Sequence, residues 1–453
     1  MRQFVIEQSA ADLTSHAGLG LIGRALHHHT DLADAASAVS DVRPDAIQHR
    51  DILASYIALV CLGKSDFEAV TAFRADEFFY EALGLRDVPS EATLRQRLDE
   101  HAQAFRSAVD QASEDFLRRV GAPITPLANG LVPLDCDVSP FDNGRTHKEG
   151  VSRTYKGCDG YAPMLAYLGQ EGWCVEVELR EGRQHCQKDT PALLARVLER
   201  TRRLLPTYQG VLLRLDSGND ALENIAAVFA HNEQHPQAAQ VHHLIKWNPR
   251  QERPEDWLAY AESQESDAHW STPRPGKRVA LFSVVEDRVD GEYEDTLRRV
   301  MRVTERTIDQ DGQALLVPEI TLEGWWTSLW QAEASIISWY AEHGTSEQFH
   351  SEFKTDLDLE RFPSGKFATN ALVLTCAQLA YNLLRWIGQE GLLGAKAPPR
   401  HRAKRRRLRT VMQELIDLAA RLVRTGRRLK LVFGAQCPAV TIYRALYLQL
   451  AVT

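Results

Sequence analysis

Apolar positions change their period along this chain, and the changes divide it. Up to about residue 125 the pattern is helical. ILASYIALVCLG is an apolar run, Ser65 with Glu68 reads as a capping box opening DFEAVTAFRADEFFYEALG, and Gly84 ends that segment. Ser90 after Pro89 starts EATLRQRLDEHAQAFRSAV, with Leu94, Leu98 and Phe105 on one side and Arg95 and Arg97 elsewhere. Such a helix pair suits either a helix-turn-helix-like DNA reader or a bundle packed on the next domain.

From 126 the period becomes two. In GLVPLDCDV, Val132, Leu134, Cys136 and Val138 share one strand face while Asp135 and Asp137 share the other. PMLAYLG and WCVEVELREG predict a hairpin around Gln170–Gly172. Thr190 and Pro191 then cap the helix ALLARVLERTRRLL. GVLLRLDSGND is a further strand ending in Asp216, and Asn219 opens a helix with Leu222, Ile225 and Phe229 inward. Residues 236–330 carry strand-like pieces (HHLIKW, KRVALFSVV, RRVMRVTERT, QALLVPEITLEGWW) between Pro- and Glu-rich connectors, which predicts a β-rich insertion before helix returns near Glu333. The expected layout is a helical N-terminal domain (1–125), an α/β domain in two parts (126–235 and 331–392) split by that insertion (236–330), and a C-terminal region (393–453).

Charge refines the last assignment. The net charge of −8 is an awkward sum for a nucleic-acid protein, but its distribution is uneven. Residues 396–430 hold 13 Lys/Arg against two acids, with the core RHRAKRRRLR at 400–409, whereas residues 1–120 hold 19 acids against 12 bases. Val411, Leu415, Leu418, Leu422 and Val423 follow at helical spacing, so a basic helical region is expected rather than a loose tail. Seven cysteines without a C-x-x-C pair predict buried thiols in a reducing compartment. No run approaches the roughly 20 apolar residues of a membrane span and no signal pattern opens the chain, so a cytoplasmic protein without a membrane partner is expected.

The chemistry rests on carboxylates. Phosphodiester cleavage with two divalent ions needs a few Asp/Glu converging on one point, and Mg2+ accepts such oxygen ligands while keeping waters. Asp137 and Asp216, each closing a strand, are candidates. A third acid lies in WYAEHGTSEQFHSEFKTDL, where Tyr340, Glu347 and Lys354 recur every seven residues. On a continuous helix that spacing is about 700°, so all three share a face, with His343 on the same side.

Those residues carry a resemblance. Tyr-x2-[Arg]-x3-Glu-x6-Lys is similar to the signature of insertion-sequence transposases, with His343 standing where the family commonly has arginine. LDCDVSPFDN, KEGVSRTYKGCDGYAPML, LRLDSGND, EQFHSEFKTDLDLERFPSGKFATN and LAYNLLRW, in that order, resemble the transposase DDE domain group 1, the insertion-sequence family numbered thirteen-eighty, over most of residues 10–445. The resemblance implies a ribonuclease H-like mixed sheet with flanking helices, and two Mg2+ ions, replaceable by Mn2+. Asp137 would bridge both ions while Asp216 and Glu347 hold one each. Asp135, on the strand face of Asp137, is the alternative first ligand or a supporting acid. It further implies DNA contacts by Tyr340, His343 and Lys354, and a flipped base stacked on Trp325 or Trp326; the bland alternative for these indoles is one in the core and one on the surface. Arg361 and the basic Arg405, Arg406 and Arg407 are further candidate DNA contacts. Partners would be double-stranded DNA (terminal inverted repeats and a target duplex) and a second subunit in a homodimer, at the bacterial nucleoid.

Three other classes compete: a catalytically silent DNA-binding descendant, a ribonuclease H-like nuclease of repair or defence, and a carboxylate-pair hydrolase such as a glycosidase. The separation of 131 in sequence number from Asp216 to Glu347 and the Tyr/Lys face favour transposition, and the basic tract has no use in a glycosidase. His27–His29 and His242–His243 lack metal spacing, and GLGLIG at 18–23 follows no strand, so neither zinc nor a dinucleotide is expected there.

Overall fold

The computed structural model describes residues 3–40, 42–43, 45–263, 267–291, 293–309, 311–393, 405–426 and 428–451. Among the described residues nine strands form the main sheet. In chain order they are β1 (Val132–Val138), β2 (Met164–Leu168), β3 (Trp173–Glu178), β4 (Val211–Leu215), β5 (Val241–Lys246), β6 (His269–Arg274), β7 (Lys277–Asp290), β8 (Tyr293–Ile308) and β9 (Ala314–Thr327). Their spatial order is β6-β7-β8-β9-β5-β4-β1-β2-β3.

At the heart of the sheet β1, β4 and β5 run parallel, and β2 and β3 extend it as an antiparallel meander. These strands are covered on both faces, so β2 and β4 are buried at every position, as apolar central strands require. Between β3 and β4 lies helix α1 (Thr190–Leu204), and between β4 and β5 lies α2 (Leu222–Gln234); the two pack on each other. After β9 the chain forms α3 (Glu333–Ala341), a 3-10 stretch (Glu342–Thr345), α4 (Ser346–Ser351) and a π-helical turn (Glu352–Asp356). The long α5 (Phe367–Leu392) follows.

Length and apolarity alone would let α5 cross a membrane, but 89% of its most apolar window is buried inside the protein. Its polar side chains serve the sheet edge. Asn382 accepts from the Cys174 backbone N–H at 3.0 Å and donates to the Cys174 carbonyl at 2.7 Å, and Gln378 donates to the same carbonyl at 3.2 Å. One continuous apolar core joins α5, the sheet and the N-terminal helices: Leu94, Leu98 and Phe105 are fully buried in it. Ser90 caps its helix by accepting from the Thr93 N–H at 3.1 Å, and Gly84 ends the preceding helix in the left-handed region at φ +63°.

Four expectations change. First, HHLIKW is β5, a parallel strand beside β4, and β9 pairs with it through Trp325↔Lys246, Trp326↔Ile245 and Thr327↔Leu244. The strands expected as an inserted β-rich unit therefore continue the central sheet. Second, Ser65 caps nothing; its hydroxyl donates to the Asp358 carbonyl at 2.5 Å, and DFEAVTAF is a 3-10 helix. Third, the helix expected through 340–354 is interrupted. Gly344 sits in the 3-10 stretch, and the Leu357 N–H reaches back five residues to the Glu352 carbonyl at 3.0 Å. Fourth, the C-terminal region is only partly helical. Helix breaks off at Ile416 and resumes at Val440–Gln449; between them Ala420–Thr425 pairs antiparallel with Arg428–Phe433 in a hairpin that also binds Leu13–Thr14. Alternation decides this: Ala420 and Leu422 are buried while Arg421 is exposed, a period-2 pattern that overrides the i, i+4 match of Leu418 with Leu422. The basic positions 396–404 lie outside the described residues.

Candidate active site

Parallel pairing of β1 with β4 sets Asp135 opposite Arg214 and Cys136 opposite Leu215. The next step of that register puts Asp137 beside Asp216. Because side chains alternate, the Asp137/Asp216 pair emerges on the face of the Asp135–Arg214 pair, with backbones about 4.8 Å apart. The strands end there, so the two carboxylates stand at the carboxyl ends of adjacent parallel strands, where α/β sheets open their ligand crevices.

Asp135 is fully engaged. Arg214 grips it with Nε to Oδ1 at 2.6 Å and Nη2 to Oδ2 at 2.7 Å, and the His343 ring meets Oδ1 at 2.9 Å. Burial works to raise its pKa, but the charges of Arg214 and His343 outweigh burial and hold the carboxyl below its usual range. The third donor of Arg214 goes to the Trp339 carbonyl at 2.6 Å, tying the end of α3 to the sheet.

Asp137 and Asp216 are held more lightly. Asp137 accepts its neighbouring Val138 N–H at 2.7 Å and meets His350 Nε2 at 3.3 Å, while the other nitrogen of that ring is 3.2 Å from the Tyr167 hydroxyl. Burial pushes its pKa up, and the His350 hydrogen bond, with both nearby histidines, brings it net below the ordinary value. Asp216 accepts from the Asn219 side chain at 2.7 Å. Its pKa is raised, first by burial and then by the charge of Asp137. Two half-buried carboxylates that disfavour each other's charge, offering only oxygen donors, suit a hard divalent cation.

The remaining candidates divide. Tyr340 is half-buried over the site, its ring 5.5 Å from His343, and its hydroxyl is pushed well up by burial and by Asp216 and Asp137. Lys354 reaches the end of β1, donating to the Pro140 carbonyl at 2.6 Å near Asp137; burial lowers its pKa. Glu347 is exposed on α4, three residues before His350. Arg361 is exposed. His343 is buried against Asp135, so it does not face solvent as a DNA contact would; a neutral or cationic imidazole here replaces a guanidinium fork with an internal bond.

Trp325 and Trp326 are 2% and 4% exposed, flanked by Lys246 and Arg302 and by Arg288 and Arg299 respectively. They sit where β9 joins β5, which withholds both faces from a flipped base. The exposed aromatic of that region is Trp330, 74% accessible, with Arg298 5.6 Å from its ring centre. Arg405 stacks on Phe349 at 4.5 Å and donates to Gln348 and the Gln170 carbonyl. Arg407 pairs with the buried Asp356 at 2.9 Å. Both brace the segment bearing Glu347, Arg405 partly buried and Arg407 from an exposed position; Arg406 is half-exposed, its carbonyl bonded by Arg385.

Arg214, His350 and Tyr155, whose hydroxyl donates to the Val138 carbonyl at 3.3 Å on the rim, were not candidates from the sequence, and Asn219, expected to open a helix, lies in a 3-10 turn and holds Asp216. Two of them leave a signal. An arginine inside the apolar run LLRL two residues before Asp216 needs a buried counterion, and His350 repeats His343 after seven residues.

The family model for transposase DDE domain group 1 matches residues 1–453. The chain belongs to that family. Transposase DDE domain proteins are DNA-cleaving and strand-transferring enzymes, and this member is a mixed α/β protein with a large mixed sheet and flanking helices. Among solved structures it is similar to piggyBac transposase in a synaptic complex with hairpin DNA, at 11% identity and a TM-score of 0.40, over 87% of this chain and 79% of that one. No curated protein matches the chain.

Proposed function

We propose that this transposase cuts DNA at the ends of an insertion sequence and joins the freed ends to a target duplex, using Asp137, Asp216 and Glu347 on a ribonuclease H-like sheet. The observation that supports it most is that Asp137 and Asp216 lie one step beyond the last paired residues of two adjacent parallel strands, close enough for the charge of one to act on the other. Asp135 is the weaker candidate for first ligand, since Arg214 and His343 occupy its oxygens.

Asp137, Asp216 and Glu347 would hold two Mg2+ ions, or Mn2+, which when bound activate the attacking oxygen and stabilise the leaving oxygen of an in-line displacement. His350 fixes the Asp137 carboxylate and Asn219 that of Asp216, so neither has to be ordered when substrate arrives. Glu347, exposed on α4 one turn before the His350 that binds Asp137, would complete the set. Lys354 keeps two ammonium protons beyond the one given to Pro140, enough for a phosphate oxygen beside the scissile bond. Tyr340, Arg361 and Arg406 are the further DNA contacts. Cleavage at two ends calls for a homodimer on the DNA, in the cytoplasm at the nucleoid.

The experiment is a supercoiled plasmid carrying the terminal repeats, incubated with Mg2+ or with EDTA. Nicking at the repeats with Mg2+, and strand-transfer products from added cut ends, is expected. Binding without nicking under both conditions would mean a silent DNA-binding protein. Nicking indifferent to the repeats would mean a nuclease.

A further inference from the structure

A second cluster of donor atoms lies away from these acids. Glu199 on α1, His231 in the last turn of α2 and His235 just beyond it each present one ligand atom, all within 4.8 Å of one another. Glu199 Oε1 is the shared partner, 2.5 Å from His235 Nε2 and 3.4 Å from His231 Nδ1. Its other oxygen is committed: Arg202 donates to Oε2 at 2.9 Å. One carboxylate oxygen therefore points at both imidazoles while an arginine holds the carboxylate from behind.

Histidines four apart share one face of a helix, and their ring centres here are 4.8 Å apart. Tetrahedral zinc with bonds of about 2.0–2.1 Å needs donors about 3.3 Å apart, which the 2.5 and 3.4 Å separations of Glu199 from the two rings bracket. The His231 side chain is 8% exposed and that of His235 is 26% exposed, so the site is walled on one side and open on the other for a water.

We propose that Glu199, His231 and His235 bind one transition-metal cation of the zinc class and thereby staple α1 to α2. Two imidazoles and one carboxylate favour Zn2+ or Co2+ over Mg2+, which prefers oxygen ligands. The staple is separate from the proposed catalytic ions: Asp216 precedes the start of α2, and the staple lies at its other end, about 20 Å away along the helix.

The test uses the full-length protein, stripped of metal by chelator and titrated with Zn2+ by calorimetry, alongside the His231→Ala/His235→Ala double variant, Glu199→Gln and Asp137→Asn. Wild type and Asp137→Asn are expected to take up one more zinc equivalent than the double variant and Glu199→Gln. Arg202→Gln, which frees the carboxylate behind the site, is expected to weaken that equivalent by about 10-fold. Co2+ should give tetrahedral-type visible absorption in wild type that is absent from the double variant, and Zn2+ but not Mg2+ should raise the melting temperature by the wild-type-only increment. Equal zinc stoichiometry and equal Co2+ spectra in wild type and both cluster variants would overturn the proposal, as would loss of the extra equivalent in Asp137→Asn alone. Glu199→Gln keeps a hydrogen-bonding side chain on α1, so a folding failure of the double variant leaves the comparison intact.

Discussion

Asp135 and Arg214 face each other across two parallel strands, joined at 2.6 and 2.7 Å, and the same register sets Asp137 beside Asp216 two residues further on. A closed ion pair thus underlies an open pair of acids. Removing one member of the closed pair strands a buried charge, which typically costs about 3–5 kcal/mol, whereas removing both is much milder. Arg214→Leu is therefore expected to lose about that much stability in urea denaturation, and Asp135→Asn/Arg214→Leu to recover most of it. Equal losses in both would show that the pair contributes no more than its packing.

The open pair behaves in the opposite sense. Asp216 is held at a raised pKa by burial and by Asp137, so its charge at neutral pH opposes folding. Asp216→Asn should abolish plasmid nicking while leaving the melting temperature in EDTA unchanged or higher. A marked fall in melting temperature would assign Asp216 to the scaffold instead of the chemistry.

His243, in β5, is fully buried with neither ring nitrogen bonded among the described residues, and burial pushes its pKa down to about 3 from 6.5. The unfolded chain therefore takes up a proton near pH 6.5 that the folded chain refuses until about pH 3. Stability from this group is full above that window and falls as pH drops through it, by about 1.4 kcal/mol per pH unit. His243→Phe should remove that slope, its advantage over wild type growing by about 2 kcal/mol between pH 6.5 and 5. Denaturation at the two pH values measures it.

Arg407 offers a test of bracing against DNA contact. A phosphate-binding cation contributes about one unit to the slope of log K against log salt. Because Arg407 spends its guanidinium on Asp356, Thr355 and Ser351, Arg407→Gln should leave the slope for end-DNA binding unchanged and lower the melting temperature. A slope reduced by one unit with unchanged stability would restore it to the DNA surface.

How much of this was legible depended on range. The strand carrying Asp135 and Asp137, the strand leading to Asp216 and the helix after it follow from local periodicity; β1 and β4 form where it puts them, and α2 starts three residues later, at Leu222 instead of Asn219. What local pattern cannot carry is pairing. Nothing in HHLIKW tells that it lies beside β4, and nothing in the two adjacent aspartates tells which has an arginine across the strand. The seven-residue spacing of Tyr340, Glu347 and Lys354 assumed an unbroken helix, but Gly344 and the five-residue reach at Leu357 alter the winding on both sides of Glu347. Trp325 and Trp326, conspicuous as a pair, are interior because β9 closes onto β5 there.

β7 and β8 pair without interruption from Lys277↔Arg306 to Asp290↔Tyr293, an arm about 45 Å long. The ladder is fastened near its middle, where Arg298–Val300 pair with Trp325–Thr327 of β9 and these with Leu244–Lys246 of β5. Held there by backbone bonds, it projects to both sides of the strands that bear the acids, so whatever either end rests on is kept in register with the cutting point, as by the beam of a balance.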